Sequence, residues 1–235
     1  MADDVARRVF LGAAGAAVAA GVVGTAAAAE APPPAKGVKI IGIATSARKG
    51  KTTAAGVQIC LDAAKEVSPD VEVELIELAG LNLAPALAAG VPLPEGQTDD
   101  FAALVPKLGD PRVGGIIVGS PVYFGMMSAH CKALLDRFMV FRKNKLALSN
   151  KVGGALAVGG GRNGGQELTI DAILACLLAQ EMIIVGDGRP TAHRGATLWN
   201  NWKDDITKDE FGVSTAKNLG RRVAEVALRL AAAPK

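Results

Sequence analysis

The chain has 235 residues, half of them hydrophobic, which suits one folded core better than two large ones. Its formal net charge is +3, and lysine and arginine are scattered along the chain, so the basic stripe typical of nucleic-acid-binding proteins is missing. The three cysteines, Cys60, Cys131 and Cys176, lie far apart in sequence, which argues against a disulfide framework and against a cysteine-ligated metal or cluster.

The N-terminal segment differs in composition from the rest of the chain. Arg7-Arg8-Val9-Phe10-Leu11 precedes a run of Ala, Gly and Val that reaches Ala29. This arrangement resembles a twin-arginine export signal, and the run is too weakly hydrophobic for a permanent membrane span. A disordered Ala-rich tail or a membrane anchor is the alternative. We expect a signal over residues 1–29, cleaved after Ala29 or else after Ala31, and a Pro-rich linker over residues 30–36 that leads into one domain over residues 37–235. Such a protein would reach the periplasm already folded.

Strand and helix patterns alternate through the remaining sequence. Near-continuous apolar runs predict strands at Val38–Ala44, Val71–Leu78, Val113–Gly119, Val152–Val158 and Met182–Val185. Amphipathic patterns predict helices at about Thr52–Val67, Asp99–Leu108, Met126–Phe141, Gln166–Gln180 and Val213–Ala232. Alternating units of this kind form a parallel sheet with helices on both faces. We therefore predict an α/β, doubly wound, five-stranded parallel sheet of flavodoxin-like order 2-1-3-4-5. The irregular segments Leu78–Gln97 and Trp199–Phe211 are either covering flaps or substrate and subunit contacts.

The turn after the first predicted strand has the composition of an anion site. Residues 45–53 read Thr-Ser-Ala-Arg-Lys-Gly-Lys-Thr-Thr and lead into a helix, whose N-terminal amides favour phosphate. Simple capping of that helix by Thr52 or Ser46 is the alternative. The turn lacks only the first glycine of a P-loop, but no predicted strand ends in the aspartate that a nucleoside triphosphatase needs for magnesium. A single terminal phosphate, held by hydroxyls, amides and Arg48, fits the turn better.

Three loops together resemble those of the NADPH-dependent FMN reductase and iron–sulfur flavoprotein family. The first is the Thr45–Thr53 turn. The second is Ser-Pro-Val-Tyr-Phe-Gly at residues 120–125, followed by Lys-Ala-Leu-Leu-Asp-Arg at residues 132–137. The third is Gly-Gly-Gly-Arg-Asn-Gly-Gly-Gln-Glu at residues 159–167. The first turn departs from the family pattern because Thr45 and Ala47 replace its Gly and Pro, and Thr52 replaces its Asn. The cluster-binding cysteines expected after the second strand are missing from Leu78–Gln97, so the chain resembles a cluster-free member.

The resemblance implies a set of residues that bind FMN. Its phosphate would be held by Ser46, Arg48, Thr52 and Thr53. Its isoalloxazine would be lined by Pro121, Val122, Tyr123, Phe124 and Gly125. Close approach of the backbone to the other edge of the ring would involve Gly160, Gly161, Asn163, Gly164 and Gly165. His193, which follows the fifth predicted strand, either reaches a cofactor edge or lies in an ordinary surface loop.

These expectations point to an oxidoreductase that uses FMN and takes electrons from NADPH or NADH. The acceptor would be a quinone, a flavin, a metal ion or a redox protein, and no protein nucleophile, general base or bound metal is required. Because export would remove the protein from cytoplasmic nucleotides, a flavodoxin-like electron-transfer protein without NAD(P)H activity is the alternative. A scaffold that has lost its flavin is a third possibility. Relatives of this kind suggest a homodimer or homotetramer, with Leu78–Gln97 as a contact segment.

Overall fold

The computed structural model describes residues 37–233, and the predicted signal and linker lie outside them. A parallel sheet forms the centre of this region. Its strands are β1 (Val38–Ala44), β2 (Val71–Glu77), β3 (Val113–Tyr123), β5 (Val152–Gly159), β6 (Ile183–Ile184) and β7 (Ala196–Trp199), and β4 (Met126–Met127) is a short antiparallel return of β3. The helices are α1 (Thr52–Lys65), α2 (Phe101–Leu108), α3 (Ala129–Arg137), α4 (Met139–Lys143), α5 (Gln166–Leu178) and α6 (Glu210–Ala232), with one 3₁₀ turn at Pro85–Ala89.

The sheet confirms the predicted strand order. Its path runs β2-β1-β3-β5-β6, and because β4 only extends β3, the five parallel positions follow the flavodoxin-like order. The fifth position is shared by two segments. Ile183–Ile184 pairs with the start of β5, and Ala196–Trp199 pairs with its end. Residues 185–195 therefore leave the sheet and return to it, a detour that the apolar run at Met182–Val185 does not predict.

Side chains from the two faces of the sheet enter two separate cores. Ile41 and Ile43 of β1 pack with α2, α3 and α5, whereas Ile40 and Ala44 pack with α1 and α6. This alternation follows from the period of two residues along a strand. It produces the doubly wound architecture, with the carboxyl ends of β1, β3, β5 and β7 at one edge. The functional site is expected at that edge.

The predicted helix at Met126–Phe141 is wrong in its first part. The chain instead forms a hairpin in which Val122 pairs with Met127 and Tyr123 with Met126. The helix α3 begins only after Ser128, whose side chain accepts a hydrogen bond from the Cys131 amide. A serine in this position caps a helix effectively. The prediction missed the boundary because Met126-Met127 satisfies a helical pattern as well as a strand pattern.

Within residues 37–233, no helix combines the length and the apolar character needed to cross a bilayer.

Candidate functional site

Four loops meet at the carboxyl edge of the sheet. They are the first turn (residues 45–51), the aromatic hairpin (residues 120–127), the glycine turn (residues 160–165) and the tryptophan loop (residues 200–209). The first three carry the predicted cofactor residues, together with the first two residues of α1. The tryptophan loop follows β7 and was predicted only as an irregular segment of open role.

The first turn and the start of α1, together called the cradle, carry the hydroxyl and amide groups that the sequence predicts to bind phosphate. The first hydrogen bond of α1 runs from the Ala55 amide to the Lys51 carbonyl at 3.0 Å, so the amides of Thr52 and Thr53 have no acceptor within the helix. The capping residue, Lys51, contributes no side-chain cap. The Ser46 hydroxyl is nearly buried and accepts a hydrogen bond from the Arg48 amide at 3.0 Å. Thr52 and Thr53 are both buried at the helix start.

Two carboxylates, Asp204 and Glu77, bind polar groups of this cradle. Asp204 of the tryptophan loop accepts two hydrogen bonds from the Arg48 guanidinium, each 2.7 Å long, and lies 3.8 Å from the Lys51 ammonium. The bond to Arg48 lowers the pKa of the Asp204 carboxyl below its ordinary range and raises the pKa of the guanidinium. Glu77 at the end of β2 accepts a hydrogen bond from the Gly50 amide at 2.7 Å. These contacts join residues that are distant in sequence, so no local pattern predicts them.

The aromatic hairpin presents two aromatic side chains to solvent. Its tip residues, Phe124 and Gly125, both have positive φ, +52° and +77°, which is the backbone of a tight two-residue hairpin turn. The Tyr123 side chain is half exposed and that of Phe124 is fully exposed. Pro121 still lies within β3 and pairs with Val158 of β5. The predicted end of this strand at Gly119 is therefore wrong, since the strand runs through to Tyr123.

Buried hydroxyl groups fix the base of the hairpin. The Thr45 hydroxyl donates to the Gly119 carbonyl at 2.9 Å, and the Ser128 hydroxyl donates to the Thr45 carbonyl at 2.8 Å. The Ser128 amide in turn donates to the Ser120 hydroxyl at 3.0 Å. These bonds join the end of β1, the end of β3 and the start of α3. Thr45, which replaces a family glycine, thus has a structural role that the sequence did not suggest.

The glycine turn is shaped by a side chain that follows it. Gln166 donates to the Gly161 carbonyl at 2.8 Å and accepts a bond from the Gly164 amide at 2.8 Å. Gly165 has a φ of +104°, and a Cβ there would lie 2.6 Å from the Cα of Gly125. The hairpin tip and the glycine turn therefore touch backbone to backbone. Gln166 is part of the family motif at residues 159–167, but the sequence alone indicates no role for its side chain.

The Trp202 indole lies over the glycine turn. A Cβ on Gly160 would lie 2.6 Å from its ring, and the Trp202 side chain is otherwise exposed. Trp202 and Asp204 thus connect the glycine turn with the first turn, on the other side of β3.

His193 lies beside the glycine turn. It lines a cleft of about 420 Å³ together with Asn163, Gly165 and Phe211. It packs edge-on against Phe211, with ring centroids 5.6 Å apart.

Residues 38–197 match the sequence profile of the NADPH-dependent FMN reductases. This range contains the first turn, the aromatic hairpin and the glycine turn, whereas the tryptophan loop and α6 lie outside it. The chain belongs to this family. An iron–sulfur flavoprotein of Methanocaldococcus jannaschii is 43% identical over 192 residues, which cover 80% of this chain and 97% of that protein. An NAD(P)H dehydrogenase (quinone) of Azorhizobium caulinodans is 38% identical over 148 residues, covering 56% of this chain and 72% of that protein. A solved NADH:FMN oxidoreductase superposes with a TM-score of 0.57 at 21% identity, covering 84% of this chain and 92% of that one.

The cysteines of this FMN reductase family member lie on opposite sides of the sheet. Cys60 of α1 belongs to one core, and Cys131 of α3 belongs to the other, against which Cys176 of α5 packs. A cluster bound by cysteine thiolates needs them to converge on one point. These three cannot do so, although the Methanocaldococcus relative is named an iron–sulfur flavoprotein. Among residues 37–233 there is also no group of three His, Cys, Asp or Glu side chains that could hold a metal ion.

Proposed function

We propose that this chain is an NAD(P)H-dependent oxidoreductase in which FMN, held at the carboxyl edge of the sheet, is the only redox cofactor. The observation that carries the proposal is the placement of two surfaces on either side of β3. An anion cradle lies at the end of β1, and a backbone contact between the hairpin tip and the glycine turn lies at the end of β5. A monophosphate and a flat ring joined by a short chain fit such a pair of surfaces.

The residues present suit FMN in charge and in shape. Ser46, Thr52 and Thr53 supply hydroxyl groups, and Arg48 supplies a guanidinium that can bind phosphate with two parallel hydrogen bonds. The glycine turn exposes backbone rather than side chains at Gly161, where a ring edge can approach. FMN, when bound, accepts a hydride from a nicotinamide and passes electrons on to an acceptor. The side chains of this site bind and orient the ring, and we assign none of them a proton-transfer role.

The identity of the donor and the acceptor is supported by the relatives. Relatives named for NAD(P)H and quinone favour NADPH or NADH as donor and a quinone as acceptor, with a flavin or a redox protein as alternatives.

The sequence also supports a second function. The twin-arginine pattern at Arg7-Arg8 favours export to the periplasm. There the chain would act as an electron-transfer protein without NAD(P)H activity.

We further propose a homodimer or homotetramer, supported by the exposed aromatic side chains at the site edge. Size-exclusion chromatography tests this assembly.

The decisive measurement is an anaerobic reduction experiment on the purified full chain. We expect a yellow protein whose flavin absorption bleaches when NADPH or NADH is added. Bleaching by dithionite but by neither nucleotide would support the electron-transfer alternative. Colourless protein that fails to bind added FMN would overturn both functions.

Binding of the FMN phosphate at the cradle can be tested separately, because Asp204 and its neighbour Asp205 provide a matched pair for substitution. Asp204 holds Arg48, so a bound phosphate must share that guanidinium with it. Asp204→Asn should therefore strengthen FMN binding, and Arg48→Ala should weaken it. Asp205→Asn is the control, because among the described residues Asp205 accepts hydrogen bonds from Thr207 alone. If FMN affinity is the same in all three variants as in the wild type, the phosphate does not bind at Arg48.

A further inference from the structure

The tryptophan loop contacts the site at two places. At one of them, Asp204 binds the Arg48 guanidinium with two hydrogen bonds of 2.7 Å and lies 3.8 Å from the Lys51 ammonium. At the other, the Trp202 indole packs on Gly160, where a Cβ would lie 2.6–2.7 Å from three ring carbons. The residues that match the family profile end at residue 197, so the match assigns the loop no role.

Both contacted residues belong to the set expected to bind FMN. Arg48 is expected at the phosphate, and Gly160 is expected at the edge of the ring. A carboxylate that binds a guanidinium through both oxygens uses the paired donors that a phosphate would use. An indole packed on Gly160 covers the backbone that a flavin edge would approach. One loop therefore occupies binding groups at both ends of the proposed cofactor site.

The ends of the tryptophan loop are anchored, whereas its middle is exposed. The Asn200 amide donates to the Gly159 carbonyl at 3.0 Å, which continues the pairing of β7 with β5. Ile206 is buried in the core on the side of α1 and α6. Between these anchors, residues 201–204 are exposed to solvent. A segment with so little buried surface can move away from the site while β7 and α6 stay in place.

The backbone of this exposed segment is strained. Asn201, Trp202 and Asp204 have φ values of +49°, +58° and +54°. A left-handed backbone is unfavourable for residues that carry a Cβ, so it persists where surrounding contacts hold it. The contacts of Asp204 with Arg48 and of Trp202 with Gly160 supply that support. Loss of either contact therefore favours release of the loop.

We propose that the tryptophan loop is an autoinhibitory strap that competes with FMN for both ends of its site. FMN binds when the loop releases Arg48 and Gly160. Its apparent affinity and its rate of association are therefore reduced to the fraction of molecules in which the loop is open. This inference rests on the proposed function, because it concerns the access of FMN to the same site.

The first test measures how fast FMN associates with the FMN-free full chain, by stopped-flow quenching of flavin fluorescence. Asp204→Asn should raise the association rate constant about two- to fivefold, the range expected for loss of an exposed ion pair. Asp205→Asn is the control, since it removes the same charge from the next residue, whose carboxylate accepts hydrogen bonds from Thr207. It should leave the rate constant unchanged. Trp202→Ala, which frees the other end of the loop, should raise it as well.

Two outcomes of this experiment would overturn the inference. One is an unchanged rate constant in Asp204→Asn. The other is an equal rise in Asp204→Asn and Asp205→Asn, which would reflect net charge alone. In both cases FMN still binds, so the proposed function survives. If neither the wild type nor Asp204→Asn binds FMN, the proposed function itself fails.

The second test follows the loop by hydrogen exchange and mass spectrometry. In the FMN-free chain, Asp204→Asn and Arg48→Ala should both speed exchange in peptides that cover residues 200–205, because each removes one partner of the same contact. Asp205→Asn should exchange there as the wild type does. Saturating FMN should also speed exchange in this segment of the wild type. Slower exchange with FMN would show that the loop closes over the cofactor, which overturns the competition.

Discussion

Gly161 is a position where a substitution should weaken cofactor binding without destabilising the fold. A Cβ on Gly161 would meet no atom within 4 Å, and its φ lies outside the left-handed region. Replacing it by alanine should therefore leave the free energy of unfolding of the FMN-free protein unchanged or raise it by about 0.4–1 kcal/mol, because alanine restricts the unfolded chain. If the flavin edge touches this backbone, the added methyl group overpacks the contact. That costs about 1–3 kcal/mol, which weakens FMN binding roughly 5- to 140-fold.

Two measurements on each variant distinguish these effects. Urea denaturation of the FMN-free protein gives the free energy of unfolding, and quenching of FMN fluorescence gives the dissociation constant. Gly165→Ala is the contrasting variant. Its positive φ and its close approach to Gly125 should cost about 1–3 kcal/mol of stability even without FMN. An unchanged FMN affinity in Gly161→Ala would refute the placement of the flavin at the glycine turn.

Three further predictions concern buried or charged groups away from the cradle. Asp209 is buried, caps α6 through the Gly212 amide and accepts a hydrogen bond from the Trp199 amide, so Asp209→Ala should lower the free energy of unfolding by about 2–4 kcal/mol in urea; a loss below about 1 kcal/mol would contradict this. Burial raises the pKa of the Cys131 thiol to about 12, so iodoacetamide at pH 8 should leave it unmodified in the native protein, as peptide mass mapping would show; rapid alkylation of Cys131 would mean that the core opens. Hydrogen bonds from Lys107 and Lys39 hold the pKa of Glu74 below its ordinary value of 4.5. Their stabilisation is present above that value and lost as the pH falls through the lower one, so Glu74→Gln should flatten the acid side of the stability profile; an unchanged profile would exclude a role for Glu74.

The sequence determined the layout of the sheet. The apolar runs at Val38–Ala44 and Val152–Val158 lie in β1 and β5, and their alternation with amphipathic helices fixes a parallel sheet of the predicted order. That order brings the ends of β1, β3 and β5 to one edge. The first turn and the glycine turn, which composition and family resemblance predict, therefore lie on either side of the end of β3.

Only the tertiary structure decided how the loops contact one another. Asp204 reaches Arg48 across 156 residues, and Trp202 covers Gly160 from a loop that was predicted only as irregular. The hairpin at Phe124 depends on pairing between Val122 and Met127, and the division of the fifth strand depends on which half of β5 each segment meets. The periodic pattern of apolar residues in a segment indicates how that segment buries its side chains against the sheet. The pairing of polar and aromatic groups between loops leaves no such period in the sequence, because it depends on where the folded chain places each loop.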